Sequence, residues 1–237
     1  MIRNGGTTWS KCNQGLPTGP KIGRIGLTVS ATNPNKAYAL VDNLNYPEGQ
    51  SAELYKTVDG GLSWTKTHTG PFQLFTTIGW YFTDVYVNPK NDEEVFCLGI
   101  RLAHSQDGGK TFQFIGGQVS RMNPSLAQGL HLDQTELWIN PNNPNHLALG
   151  NDGGFYVSHD KGLTWMHYNN IPTGEFYDIT LDQANYTIYG GTQDDATVSG
   201  PPKEFNPQFP DPWNYVWIDA WDGGDGCVTA VDPVDRN

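Results

Sequence analysis

The eight residues Ser158–Trp165, SHDKGLTW, combine an acidic side chain, a glycine, a hydroxyl group and a tryptophan, as a sugar-binding or hydrolytic site does. The pattern recurs as TVDGGLSW at 57–64 and SQDGGKTF at 105–112, and in a weaker form as RNGGTTW at 3–9. The copies stand about 50 residues apart, which is the length of one β-propeller blade. The stretch therefore indicates a repeated structural unit before it indicates a reaction.

A second element precedes three of these copies by a nearly constant offset. It reads SATNPNKAYAL at 30–40, VNPKNDEEVFCL at 87–98 and INPNNPNHLAL at 139–149. Asn-Pro clusters between apolar runs form turns, and the flanking runs are rich in β-branched and aromatic residues. Each unit thus reads as four short strands. We expect an all-β fold, a β-propeller whose blades are four-stranded antiparallel sheets.

The repeats also predict how the blades divide the chain. We expect one domain, 1–237, with full blades at 21–68, 79–116, 131–169 and 174–219 and partial blades at 1–12 and 224–237. Propellers usually close with about 4 to 8 blades. About four full blades with a part at each end therefore indicate a segment of a larger propeller, completed by missing sequence or by another chain. A four-bladed ring closed by the terminal strands is the alternative.

The acidic residue of the repeated turn has a structural role in this interpretation. The two glycines of the turn allow positive φ angles, and an aspartate accepts hydrogen bonds from backbone N–H groups within a turn. The predicted structural residues are Asn4, Asp59, Asp107 and Asp160. In the last turn Lys161 replaces the first glycine, a change that we expect a turn to tolerate.

Composition limits the partners. With 14 Lys and Arg against 25 Asp and Glu, the formal net charge is -11, which argues against nucleic acid. The three cysteines are far apart and support neither a disulfide framework nor a zinc site. No segment approaches the ~18 consecutive apolar residues of a membrane span, and residues 1–9 contain no apolar signal-peptide region.

The order of motifs resembles a known family. The run HLDQTELWINPNNPNHLALGNDGGFYVSHDKGLTW, followed by IYGGTQDD and GGDG, is similar to the bacterial WD40/YVTN/BNR-like, or Asp-box, repeat propellers that are described as sortilin-like or as glycosyl hydrolases. The resemblance covers almost the whole chain. It implies a larger, often double propeller that is secreted or periplasmic, and it implies no particular reaction.

Polar side chains at the start of each inner strand form the candidate site, since propeller ligands bind where these strands begin. The catalytic candidates are Asp84, Asp133, Asp178 and Asp222. The ligand-binding candidates are Arg24, Trp80, Tyr81, His131, Gln134, Tyr177, Gln193, Asp194 and Asp225. Lys21, Glu136 and Glu175 belong to the same set of polar residues. Because these residues recur at one blade position, we expect them to converge.

The sequence predicts no cofactor and no transition-metal site. HLDQTE has Thr135 where members of the related group often place a second histidine. A calcium site formed by Asp133, Asp222 and Asp225 stays an open alternative, because calcium takes several oxygen ligands.

Two functions follow from these expectations. The first is an extracytoplasmic propeller that binds or hydrolyses a polysaccharide or oligosaccharide, with paired carboxylates for glycoside hydrolysis and tryptophans for stacking on sugars. A sialidase is disfavoured because no arginine after Gly79 opens an inner strand. The alternative is a non-catalytic, sortilin-like scaffold that binds a protein or peptide. Fold alone does not choose between the two functions.

Overall fold

A computed structural model of the chain describes residues 5–75, 78–116, 130–168, 174–193, 195–201, 214–217 and 224–232. All regular structure in these ranges is β-strand. The strands are β1 (Ile22–Val29), β2 (Ala37–Asn43), β3 (Ala52–Thr57), β4 (Thr65–Lys66), β5 (Asp84–Asn88), β6 (Asn91–Leu98), β7 (Leu102–Ser105), β8 (Gln113–Ile115), β9 (Gln134–Ile139), β10 (Leu147–Asn151), β11 (Gly154–Ser158), β12 (Met166–His167), β13 (Phe176–Asp182), β14 (Thr187–Thr192), β15 (Asp195–Gly200), β16 (Asn214–Trp217) and β17 (Gly224–Asp225).

The strands form four sheets in chain order. Each sheet is an antiparallel meander of four strands, β1–β4, β5–β8, β9–β12 and β13–β16. The short β17 adds a fifth strand to the last sheet by pairing in parallel with β15. This architecture confirms the predicted fold class, a β-propeller of four-stranded antiparallel blades, and we number the blades one to four.

Every inner strand ends at a turn capped by a small polar side chain. The capping residues are Ser30, Asn88, Asn140 and Asp182, and each accepts a hydrogen bond from a backbone N–H two residues later. Such local side-chain bonds stabilise the turn and end the strand. The caps give a common reference for comparing positions in the four blades.

Apolar side chains of the inner strands pack one blade on the next. In the second blade Val85 is buried in a cluster with Tyr38 and Leu40 of the first. In the third blade Leu137 is buried in a cluster with Phe96 of the second. Burying a side chain of this size stabilises the fold by roughly 1.5–3 kcal/mol. This packing therefore holds the first three blades against one another.

The equivalent apolar row is exposed in the first and fourth blades. Leu27 and Val29 of β1 are 66% and 61% exposed, and Ile179 and Leu181 of β13 are 59% and 50% exposed. In the third blade the same two positions are only 2% and 9% exposed. These inner strands therefore present apolar faces that the described residues leave open.

The partial blades expected at 1–12 and 224–237 remain predictions. Residues 5–12 contain no strand; the segment after them forms an isolated parallel bridge between Gln14 and Ser63, and Gln14 accepts a hydrogen bond from the Trp64 backbone at 2.8 Å. At the other end, Gly224 and Asp225 belong to the sheet of the fourth blade.

The described residues include no helix that is long and apolar enough to cross a membrane. The cysteines Cys12, Cys97 and Cys227 are all free thiols, and Cys97 is buried in the core between the first two blades.

Candidate functional site

The three Asp-Gly turns use their carboxylates internally. Asp107 Oδ1 accepts hydrogen bonds from the Ser105 hydroxyl at 2.8 Å and the Thr111 backbone at 2.9 Å, and Oδ2 accepts one from the Thr111 hydroxyl at 2.7 Å. Asp59 and Asp160 repeat this set to within 0.2 Å, with hydroxyl bonds to Oδ2 of 2.5 and 2.6 Å. Each carboxylate therefore closes its own turn. Asn4 lies outside the described residues.

Ionisation of these carboxylates follows from the same contacts. Burial opposes the charge on Asp107, yet the hydrogen bonds from Thr111 and Ser105 lower its pKa to about 2. The hydrogen bond from Ser63 is the main cause that lowers the pKa of Asp59 to about 2. Carboxylates held in this way are poor proton donors near neutral pH, which separates them chemically from the candidate acids.

The substitution in the third turn connects two blades. Lys161 adopts a positive φ of 62°, in the position that glycine occupies in the other turns. Its Nζ lies 3.1 Å from Oε1 of Glu94 in the second blade. Glu94 is buried and also accepts hydrogen bonds from His104 and Asn88. Burial opposes its charge, but these three partners lower the pKa of Glu94 to about 2.

The opposite end of the blades carries different side chains at equivalent positions. Four residues before the capping residue stand Gly26, Asp84, Glu136 and Asp178. The first blade has glycine because β1 and β5 approach closely there. A Cβ on Gly26 would lie 2.3 Å from the carbonyl oxygen of Thr83, which no side chain tolerates. The other three blades carry a carboxylate at this position.

Arg24 pairs with the carboxylate of the second blade. Its Nη2 lies 3.2 Å from Asp84 Oδ2, and its Nη1 donates to the backbone carbonyl of Tyr81. Burial raises the pKa of Asp84, Arg24 opposes the shift, and the charge of Glu136 adds to it. Burial therefore favours the protonated form of Asp84, whereas Arg24 favours the carboxylate.

Glu136 is held by a tyrosine of the neighbouring blade. The Tyr86 hydroxyl donates to Glu136 Oε1 at 2.8 Å, and Glu136 is otherwise exposed. Burial and this hydrogen bond raise the pKa of Tyr86, so the phenol stays a donor. Tyr86 was missed by sequence reasoning because it lies within a strand and reads as a core aromatic. Glu136 was already among the polar residues that the sequence places at the start of the inner strands.

Two exposed aromatic rings lie in the loop before β5, where Arg24 contacts the Tyr81 carbonyl. Trp80 and Tyr81 are 66% and 55% exposed, with ring centroids 5.6 Å apart in an edge arrangement. The loop that carries them packs against β2, where a Cβ on Gly79 would lie 2.6 Å from Asp42 Cγ. Asp42 is buried, and its Oδ1 has no hydrogen-bond partner among the residues the structure describes. Sequence reasoning missed Asp42, which no motif marks.

In the third blade the sequence candidates serve mainly the backbone. Gln134 is 1% exposed, donates to the carbonyl groups of His131 and Ile100, and accepts from Asn151. Asp133 adopts a positive φ of 68°, and its backbone N–H donates to Ile100. Because Gln134 offers so little surface to a ligand, it stands apart from the candidate site. His131 is half-buried, and its Nδ1 lies 3.1 Å from the Leu132 carbonyl oxygen.

In the fourth blade the structure joins two of the candidates. The Tyr177 hydroxyl donates to Asp225 Oδ1 at 3.2 Å, and the Gln193 backbone N–H donates to the Glu175 carbonyl. Across the described ranges, Asp178 forms no hydrogen bond or ion pair with the Arg24–Asp84 pair. Asp194 and Asp222 lie outside the described residues, so the calcium hypothesis keeps only Asp133 and Asp225 within them. No cluster of three metal-ligating side chains occurs in the part of the chain that the structure describes.

The fold and the site together define a β-propeller with acidic and aromatic residues where its inner strands begin. No protein-family model matches the chain. The chain is 24% identical, over 97% of its length, to a probable oligoxyloglucan-reducing end-specific xyloglucanase of Neosartorya fischeri. It spans about a quarter (25%) of that protein.

Two solved structures that the chain resembles are of GH74 proteins. The GH74 enzyme of Niastella koreensis is 16% identical, with a TM-score of 0.47 over 84% of this chain and 30% of its own. The GH74 xyloglucanase of Xanthomonas campestris is 14% identical, with a TM-score of 0.47 over 85% of this chain and 32% of its own. The fold assignment itself follows from the four sheets described above.

Proposed function

We propose that the chain is part of an extracytoplasmic polysaccharide-active propeller that binds, and hydrolyses, its glycan where the inner strands begin. The observation that carries this proposal is the arrangement of Arg24, Asp84, Glu136 and Tyr86 on adjacent blades. The similarity to a xyloglucanase over most of the chain supports a polysaccharide as ligand.

The arrangement supplies the parts of glycoside hydrolysis. In this proposal Asp84, whose pKa is raised by burial, donates the proton to the leaving group, and Glu136, an exposed carboxylate on the neighbouring inner strand, activates water. Trp80 and Tyr81 offer apolar ring faces on which a sugar would stack. In this proposal Arg24 and Tyr86 orient the two carboxylates.

The test is sugar release from a panel of polysaccharides that includes xyloglucan, together with binding measured by calorimetry. We expect Asp84→Asn and Glu136→Gln each to lower the rate of release by about 100-fold or more while keeping the fold. Asp107→Asn, which changes a carboxylate at the other end of the same blade, is the matched control and should keep the wild-type rate per folded molecule.

The outcomes separate the hypotheses. Binding without release would reduce the proposal to a glycan-binding module. Neither binding nor release on the whole panel would sink it and favour the non-catalytic protein- or peptide-binding scaffold. Location outside the cytoplasm rests on the family resemblance and is tested by fractionating cells that express the natural gene.

A further inference from the structure

A groove of about 680 Å³ lies on the second blade, at the end where β5 begins. The turn between β6 and β7 contributes Ile100 and Arg101, and β8 contributes Phe114. The segment before β9 contributes Leu130 and His131. In an antiparallel meander these elements all meet at the end where the inner strand starts, so the groove and the Asp84 site share one side of the blade.

Arg101 is the cation of this groove. Its guanidinium carbon lies 3.6 Å from the centroid of the Phe114 ring, and Nη2 donates to the Gln73 carbonyl at 3.3 Å. Among the described residues no carboxylate lies within salt-bridge distance of Arg101, whereas Arg24 has such a partner. Stacking on an aromatic ring holds the guanidinium in place and leaves most of its five donors for another acceptor.

The charges nearby determine what that acceptor is. The carboxylates of Asp84 and Glu136 repel an anion at the inner strands, in a chain whose net charge is -11. At the groove a cation without a carboxylate partner is bordered by half-buried Ile100 and Ile115, which would cover the apolar face of a sugar ring. His131, whose Nδ1 faces the Leu132 carbonyl, adds a further polar group to the wall.

We propose that this groove binds a carboxylate-bearing sugar residue through Arg101, so that the glycan of this protein is acidic. The inference rests on the proposed function, because it identifies the class of glycan bound on that side of the blade. The guanidinium would donate two parallel hydrogen bonds to the sugar carboxylate.

The test uses calorimetry on the 237-residue chain with three matched glycan probes: an oligogalacturonate, its fully methyl-esterified form and a neutral xyloglucan oligosaccharide. A short peptide with a free C-terminal carboxylate and the same peptide as its amide are measured beside them. The affinity for the free acid should be at least about 10-fold higher than for the ester, as expected for charge-assisted hydrogen bonds. Arg101→Gln should abolish this difference and leave the affinity for the neutral oligosaccharide unchanged. Arg101→Lys, which keeps the charge but loses the planar fork, should restore part of the difference.

Lys110→Gln is the matched control. Lys110 is exposed at the Asp-turn end of the same blade, and its replacement removes the same charge. It should leave all three affinities unchanged, which would exclude an effect of net charge.

Three results would overturn the proposal. The first is equal binding of acid and ester. The second is an equal loss of acid and neutral binding in Arg101→Gln, which would show a structural role. The third is an Arg101-dependent preference for a peptide with a free C-terminal carboxylate over its amide and over every glycan. If the chain binds the neutral oligosaccharide but does not prefer the acid to the ester, only this inference is wrong. If it binds no glycan at all, the proposed function is wrong as well.

Discussion

The two ends of the blades differ in what repeats. At the Asp-turn end, Asp59, Asp107 and Asp160 make the same hydrogen bonds at nearly the same distances. At the other end, equivalent positions carry Gly26 and Glu136. A turn that satisfies its own backbone must be rebuilt in every blade, whereas the start of an inner strand tolerates different side chains. The side chains at the Asp-turn end, here called the repeated end, therefore serve the fold, and those at the opposite, varied end are the candidates for a ligand site.

The largest effect on stability is expected at the repeated end. Glu94→Ala removes a buried carboxylate that binds His104, Asn88 and Lys161, and it should lower the free energy of unfolding by about 3 kcal/mol. Urea unfolding measures this change. Glu136→Ala, which removes an exposed carboxylate at the varied end, is the control and should cost about 0.5 kcal/mol. Equal costs for the two variants would erase the distinction between the two ends.

The Asp turns come next in size. Asp107→Ala and Asp160→Ala each lose several hydrogen bonds within one partly exposed turn and should cost about 1 kcal/mol. Thermal unfolding should show a lower melting temperature, and glycan binding by the folded fraction should stay unchanged. Loss of binding at full stability would assign these carboxylates to the site.

The contribution of the Asp turns to stability should depend on pH. The folded pKa of Asp107 is about 2, below its ordinary value of 3.8, because hydrogen bonds outweigh burial. Its contribution to stability is therefore complete above about pH 4 and is lost as the pH falls towards 2. Denaturant unfolding measured from about pH 5 to about pH 2 should show that the free energy of unfolding falls less steeply with acid in Asp107→Ala than in the wild type. Parallel curves would contradict the assignment.

Lys161 provides a smaller test, because two effects oppose each other. Lys161→Gly relieves a positive φ but loses the ion pair to Glu94, so the free energy of unfolding should change by less than about 1 kcal/mol. The informative measurement is the double variant with Glu94→Ala. The cost of losing Glu94 should be smaller without Lys161, and simple additivity would show that the two blades are not coupled here.

The smallest change in stability is expected at the varied end. Arg24→Gln breaks an exposed ion pair and should alter the free energy of unfolding by less than about 0.5 kcal/mol. Since Arg24 opposes the rise in the pKa of Asp84, its loss raises that pKa further. The alkaline limb of the pH profile of sugar release should then move to higher pH. An unmoved limb at normal stability would remove Asp84 from the role of proton donor.

Much of the fold could be predicted because each repeat contains its own turn signals. The strands β1–β4, β5–β8 and β9–β12 lie within the segments predicted from the Asn-Pro and Asp-Gly turns. The strand β15, DATVSG, alternates polar and apolar residues but follows directly on a polar run, so the sequence does not mark where it begins. The partial blade expected at 1–12 stays a prediction, and its described residues, 5–12, form no strand.

Less of the candidate site could be predicted. Arg24, Trp80, Tyr81 and Asp84 were singled out by their place before an inner strand, and the structure brings them together. Gln134 has the same placement but is buried by contacts with Ile100 and His131. Whether a polar side chain faces a ligand or the backbone depends on loops that are distant in sequence.

The sequence by itself determined the repeated elements of this protein, since turn chemistry and the alternation of strands act over a few residues. The four-stranded blades and their Asp turns follow from that local chemistry. Only the tertiary structure decided how blades meet. Lys161 reaches Glu94 across 67 positions, and Tyr86 reaches Glu136 across 50. Such pairs form because neighbouring blades bury their apolar rows against one another, and no local pattern encodes which residue stands opposite.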